Sequence, residues 1–448
     1  MLLWTVVILI LLTVISYTLF DRDLFAPPTV VSLGLLFATL CAYYNEETWD
    51  LDFSSETTKI IVWGIAFFII GGLIAVLIDG FSRPGKFGFS HKKSPVRFIR
   101  VRTWKTALII MFQVGTIIML VLEMRRITGG SSWSQIVSTF RAQEANVDPD
   151  EHVMKLSSIC RMCIDFSFAA ALIYSYIVGN NLAVRAKQTI SNWVPVILSS
   201  IMAFLQGYRS DMLRYWIAIL VVTYISKKRK SGWTHNAETK KMIKKMAVSL
   251  LIIAILFVAL RGTVGRKETD WDPLYYLTFY AGSSIAALDM FVKDPLPPSE
   301  IWGKETFYYL NQSISAWLKT FDRYIFYKEF RRSPNGTFIG NIYTALRPPY
   351  YDFGFSGMLV YMAVMGFFFT FFYSKVRSRH GKKQIDFSLL LYSYIAYTFF
   401  LYFYNLYNTF IALAMVRTIL RLIIINLFLF GFKKNKESYI EIQQIAVG

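Results

Sequence analysis

The chain has 448 residues, of which 55% are hydrophobic and 17% charged, with a mean hydropathy of +0.42 and a formal net charge of +19. A water-soluble globular protein carries more charge and fewer apolar residues, so that class is excluded. Nucleic-acid binding does not account for the positive charge, because Lys and Arg crowd into alternate loops between apolar blocks.

Taken in chain order, these blocks are Leu2 to Phe20, Thr29 to Tyr43, Ile60 to Ile78, Ala107 to Leu122, Ser158 to Val178, Asn192 to Leu205, Met212 to Ile225, Ala247 to Leu260, Phe355 to Phe372, Phe387 to Phe403 and Asn408 to Phe430. They predict an all-α, polytopic membrane helix bundle of about eleven transmembrane helices, each near the length needed to cross ~30 Å of hydrocarbon. The first block lacks a basic start and a small-residue cleavage site, and Asp21-Arg22-Asp23 follows it. It therefore reads as a retained helix. Residues 1–448 form a single integral membrane domain on this reading.

Basic runs lie at Arg83–Lys105, Lys227–Lys245, Lys375–Lys383 and Lys433–Lys436, whereas the loop Asn45–Thr57 is acidic. The positive-inside rule places the basic loops in the cytoplasm, the N-terminus outside and the C-terminus inside. Two outer segments are then long, Arg125–Lys155 and Arg261–Asp352. Residues 261–352 are the large extracytoplasmic loop, and long ordered loops usually carry function. Within it, Trp271–Val292 and Phe307–Tyr327 are aromatic and amphipathic, like helices lying at a membrane surface.

Little catalytic chemistry is legible. Cys160 and Cys163 form a CxxC with no second pair, so no metal site is expected. Arg161 and Asp165 flank this pair four residues apart and are expected to satisfy each other. None of the four His falls in a spanning block, and no phosphate-binding glycine loop with its lysine is present. No cofactor is expected, and any reaction must draw on an already activated substrate.

Three short stretches interrupt the apolar pattern at the predicted outer face. In Gly207-Tyr208-Arg209-Ser210-Asp211 the small and acidic residues suit a tight helical turn. That turn does not explain Arg209 or, one turn further on, Arg214. Arg261-Gly262-Thr263-Val264-Gly265-Arg266-Lys267 combines glycines that admit a ligand with cations, and suits either phosphate binding or headgroup anchoring. The third stretch runs from Gly340 to Gly354 and includes Asn341, Tyr343, Arg347 beside Pro348-Pro349, Tyr351 and Asp352. Asp352 is placed to cap the helix that follows. Arg417 and Arg421 share one face of the last block, where a charge should be paired and turned inward, although Arg421 is near enough to the inner surface to snorkel.

The third stretch and the aliphatic-aromatic helix after it resemble the bacterial oligosaccharide repeat-unit polymerases, the Wzy-type O-antigen and capsule polymerases. The Gly-Tyr-Arg-Ser turn at 207–210 and the segment Tyr280-Ala-Gly-Ser-Ser-Ile-Ala-Ala-Leu-Asp289 are similar to other recurring features of that family. The resemblance covers roughly residues 200–375. It implies a glycosyltransferase-C-like bundle in the bacterial cytoplasmic (inner) membrane. Its substrates would be polyprenyl-diphosphate-linked oligosaccharides presented among membrane lipids, with a chain-length regulator protein as a further candidate partner. In such a reaction the growing chain moves onto a new repeat unit and the lipid diphosphate leaves. Arg209, Arg214, Arg261, Arg266, Arg347 and Arg417, with Asn341, Tyr343 and Tyr351, would bind substrate. Asp211, Asp289 and Asp352 are the candidate bases, and no metal is required. Arg209, Arg266 and Arg347 are expected to converge on one pocket, with Lys293 and Lys328 as bystanders. Two rivals are an O-antigen ligase, which relies on a histidine that the large loop lacks, and a lipid-linked oligosaccharide flippase, which has no need of so long a loop.

Overall fold

In a lipid interior every backbone N–H and C=O must find its partner within the segment, so apolar runs fold as helices. The computed structural model describes residues 1–81, 93–130, 132–145, 155–184, 190–207, 209–234, 241, 244, 271–318, 324, 328–378 and 384–431. Among them are the helices α1 (Leu2–Leu19), α2 (Pro27–Tyr44), α3 (Ser55–Phe81), α4 (Thr103–Thr128), α5 (Trp133–Ala145), α6 (Ser158–Val184), α7 (Val194–Leu205), α8 (Arg209–Ser231), α9 (Pro273–Lys293), α10 (Tyr308–Leu318), α11 (Arg347–Ser378), α12 (Phe387–Phe400) and α13 (Leu413–Phe430). The antiparallel pair β1 (Arg331–Arg332) and β2 (Phe338–Gly340) lies between α10 and α11. The protein is an all-α, multi-pass membrane protein. Seven of the described helices, α1 to α4, α6, α11 and α13, are long and apolar enough to cross a bilayer. Helices α7, α8 and α12 occupy three further expected spans. The expected span 247–260 lies outside the described residues.

The bundle is tightest where α3 meets α11. A Cβ on Gly71 would lie 1.9 Å from the carbonyl oxygen of Ala363, and one on Gly366 would lie 2.0 Å from that of Phe68. The two backbones therefore touch, as small residues allow between membrane helices. Helix α9 is seated more deeply than a surface helix, since a Cβ on Gly282 would lie 2.6 Å from the backbone nitrogen of Ala42 and 2.7 Å from the carbonyl carbon of Cys41 in α2. The large loop is thus tied to the bundle through α9. Helix α10 is more open, with Trp317 and Leu318 exposed.

The described loops sort onto two ends, in the alternation that the charges predict. At the basic end the α1–α2 turn meets the ends of α8 and α11. Asp23 accepts hydrogen bonds from the hydroxyls of Tyr224 and Tyr373, both at 2.6 Å, and from Arg377 at 3.0 Å. Arg229 pairs with Asp386 at 2.8 Å beside it. At the other end, here the loop end, the α2–α3 turn, α9, the 300–346 segment and the 401–412 turn come together. Trp49 donates to Tyr275, Asn335 to the carbonyl of Thr48, Lys328 to Asn405, and Asn408 to the carbonyl of Thr306.

One expected pairing is replaced. Asp165 pairs with Arg421 of α13 at 2.7 Å, and Arg161 folds back to the carbonyl of Leu156 at 2.8–2.9 Å. The i, i+4 spacing permits an Arg161–Asp165 pair, but α13 lies against α6 and presents a better-placed guanidinium. Arg421 is therefore an interhelical partner and not a snorkelling cation, while Arg417, one turn away, stays exposed.

Candidate active site

Arg347 opens α11, with prolines at the next two positions, where a missing N–H costs nothing. Seven residues on, Gly354 adopts φ +66° and ψ −171° and breaks the helix. A glycine is needed there for its conformation, since a Cβ would meet nothing within 4 Å. The polar strip 347–353 is therefore a separate helical turn set on top of the spanning helix.

The Arg347 side chain is fully buried. Its Nη2 donates to Glu305 at 3.0 Å and to Glu329 at 2.6 Å. Its guanidinium lies over the rings of Tyr343 and Phe291, at 4.0 and 4.4 Å. The Tyr343 hydroxyl donates to Glu329 at 3.0 Å, and Arg331 bridges Glu329 and Asp294. Lys328 reaches Asn405 at 2.7 Å and lies near the Tyr343 ring. Burial pushes the Glu305 carboxyl up to about 7 against the pull of Arg347 and Lys328. Burial likewise pushes Lys328 down to about 8. Burial alone would raise Glu329, but Arg347 and its hydrogen bonds bring it below the usual range.

The neighbouring residues act as struts. Asp352 does not cap its own helix. It accepts the backbone N–H groups of Glu305 and Thr306, the latter at 2.7 Å, and so ties the 300–307 turns to α11. Burial raises its carboxyl despite these bonds. Tyr351 donates to the carbonyl of Pro297 at 2.8 Å. Asn341 is half-buried just past β2. Asp289 is buried and receives the Ser54 N–H at 2.9 Å, the Thr57 hydroxyl at 2.8 Å and Lys293 at 3.0 Å, so it braces the start of α3.

A second cluster surrounds Arg214, one turn into α8. The side chain is 9% exposed and pairs with Asp211 at 3.0 Å. The rings of Tyr397, Phe168 and Tyr394 enclose the guanidinium at 4.3, 5.2 and 5.3 Å. Asp211 is 35% exposed, whereas Asp289 is buried. Tyr309 of α10 lies within electrostatic reach of both Asp211 and Arg214. Glu305 precedes Tyr309 by four residues, so one short segment joins the two clusters.

Arg261, Arg266 and the side chain of Arg209 lie outside the described residues. Of the three arginines expected to converge, only Arg347 has a described side chain, and two carboxylates already answer its charge. Lys328, expected to be a bystander, lies in the same cluster as Arg347. Sequence reasoning missed Glu305 and Glu329. The one available signal was physical: a rigidly placed Arg347, once buried, needs counter-ions. Among the described residues no group of three or more His, Cys, Asp or Glu is arranged to hold a metal.

A family model described as "Putative O-antigen polymerase" matches residues 156–399, more than half of the chain, from the start of α6 almost to the end of α12. No curated protein and no solved structure matches. The matched span contains Arg214, Glu305, Glu329 and Arg347, and on this match the chain belongs to the O-antigen polymerase family.

Proposed function

We propose that the protein is a glycosyltransferase that polymerises polyprenyl-diphosphate-linked oligosaccharide repeat units into O-antigen or capsular polysaccharide at the outer face of the cytoplasmic membrane. The acceptor hydroxyl oxygen bonds to the anomeric carbon of the donor chain. The bond from that carbon to the diphosphate oxygen breaks, and the lipid diphosphate leaves with the electron pair. The donor is already activated, so no nucleotide is consumed. Family membership supports polymerisation of repeat units. The gathering of the basic loops at the opposite end supports the outer location.

The observation that carries the chemistry is Arg214. It is a nearly buried cation at the loop end whose carboxylate partner among the described residues is the part-exposed Asp211, and aromatic rings wall it in. A cation held by its surroundings in this way can meet the charge that develops on a departing diphosphate without first reorganising. Arg209, a few residues before it, and Arg266 would add to that field. Asp211 then orients Arg214, being paired to it.

The test is transfer by purified protein in lipid vesicles supplied with a polyprenyl-diphosphate oligosaccharide. Arg214→Ala should slow transfer ~10- to 200-fold, as expected for one charge-assisted contact. Arg214→Lys should restore little, since a point charge replaces a planar fork. Full polymer length from Arg214→Ala at normal protein level would exclude this site. A reporter fused after Asn335 should read outside and one after Lys230 inside, and the reverse would place the chemistry on the wrong face.

A further inference from the structure

Among the described residues, the loop-end cluster contains buried polar atoms without a hydrogen-bond partner. Glu305 Oε1 is fixed by Arg347, but Oε2 is buried without a partner. Among the described residues the Nε and Nη1 of Arg347 and Asn408 Oδ1 are also buried and unpaired, whereas the Thr306 side chain hydrogen-bonds Asp352. The segments carrying them are in contact: Arg347 bonds Glu305, and Asn408 Nδ2 donates to the carbonyl of Thr306 at 3.0 Å. Buried polar atoms are nearly always paired with protein, water or ligand, so these idle atoms are free to receive the hydroxyls of a substrate. The set offers two donors, both on Arg347, and two acceptors, Glu305 Oε2 and Asn408 Oδ1. Sugar hydroxyls both donate and accept, which matches the set.

We infer that Glu305 is the proton acceptor for the attacking sugar hydroxyl, with Oε2 as the accepting atom. This rests on the glycosyl-transfer reading above. Each rival carboxylate is committed elsewhere. Asp289 is used by Ser54, Thr57 and Lys293, and Asp352 by two backbone N–H groups. Asp211 is ion-paired and partly wet. Glu305 is held on one oxygen and idle on the other, in dry surroundings. In the step, the acceptor O–H bond breaks and its proton goes to Oε2. The oxygen's electron pair forms the new bond to the anomeric carbon, and the lipid diphosphate departs with the pair of the bond that breaks. The proton is then released to water.

Glu305 is closed over in this structure, and the hydroxyl reaches it as the 300–307 turns lift from α11. Those turns are tied down by the two N–H contacts to Asp352. The charged groups facing Glu305 are Arg347, Lys328, Asp352 and Glu329. Burial opposed by the two cations leaves the carboxyl near neutrality, where a general base is most effective.

The experiment uses the full chain in lipid vesicles, with a polyprenyl-diphosphate oligosaccharide as donor and acceptor, and follows kcat and KM across pH. Glu305→Gln keeps the shape and an acceptor for Arg347 but cannot take a proton. It should lower kcat ~100-fold or more, the range of lost general-base catalysis, and leave KM nearly unchanged. The wild-type rate should rise with pH through about 7, and the residual rate of Glu305→Gln should not. Unchanged kcat in Glu305→Gln, or a loss that keeps the wild-type acid limb, overturns the inference. Should the Gln variant fail to accumulate, Glu305→Asp carries the test. It should keep an acid limb at a shifted pH with kcat about tenfold down, and an unchanged rate and limb overturn the inference equally. Absence of transfer by the wild-type protein would overturn the glycosyl-transfer reading itself, whereas normal transfer by both forms overturns only the role of Glu305.

Discussion

Helix α11 carries a buried arginine at each end, and the two are held differently. Arg377, at the basic end, lies 3.8 Å from the Trp233 ring and pairs with Asp23. Asp23 is saturated, taking both tyrosine hydroxyls, the Phe25 N–H and Arg377. Arg347, at the loop end, is also stacked on rings and also paired, yet among the described residues Glu305 Oε2 and the Arg347 Nε and Nη1 have no partner. Burial of charge therefore does not distinguish a structural arginine from the one that we propose lies beside the chemistry. The state of the partner carboxylate does. A saturated acid in a dry site can only hold the fold, whereas an unsaturated one can still receive a proton.

The largest expected effect would come from the saturated end. Asp23→Ala leaves Arg377 buried without its main counter-ion and should cost ~3–5 kcal/mol, seen as a lower unfolding temperature in detergent or loss of folded protein. If Asp23→Ala were as stable as wild type, the saturated knot would not be structural and the comparison would fail. Between the two ends, Gly366→Ala would press a methyl group into the Phe68 carbonyl and should cost ~1–3 kcal/mol through separation of α3 from α11. Unchanged stability there would show that the helix pair is not rigidly seated.

The loop end should reveal itself through pH. Folded Glu305 holds its proton up to about 7, well above its unfolded value, so it binds more protons folded than unfolded in that window and stability falls as pH rises toward 7. Folded Lys328 loses its proton near 8, below its unfolded value, so stability recovers as pH rises above that point. A shallow minimum between about 7 and 8 is expected in thermal unfolding, and Glu305→Gln should remove its acid side. A flat profile in wild type would mean that the cluster is wetter than its burial indicates. The smallest effect is expected at Lys293. It is partly exposed, and Asp289 keeps two other donors, so Lys293→Ala should cost no more than ~1 kcal/mol. Lys328→Met, at the half-buried lysine of the same loop, should disturb the pH profile although Lys293→Ala does not.

The helices and the sorting of loops onto two ends were legible because both arise from local chemistry. An apolar run must be helical in lipid, and basic loops gather at one end whatever the helices between them touch. Arg347, Tyr343 and Asp352 were also legible as a polar strip set against prolines and a glycine. Their roles were not. Glu305 and Glu329 stand 42 and 18 residues from Arg347, and nothing in spacing announces such partners. Asp165 shows the same limit at closer range: a partner at i−4 was available, and a helix some 250 residues away in sequence supplied the one that is used. Composition and order of residues determined which segments cross the membrane and which loops share an end, because those depend on each segment's own transfer free energy and charge. Which charges meet, and which carboxylate keeps an oxygen idle, only the packing of α8, α9, α11 and the 300–346 segment decided, because an ion pair depends on distances of a few ångströms between residues that the chain does not bring together locally.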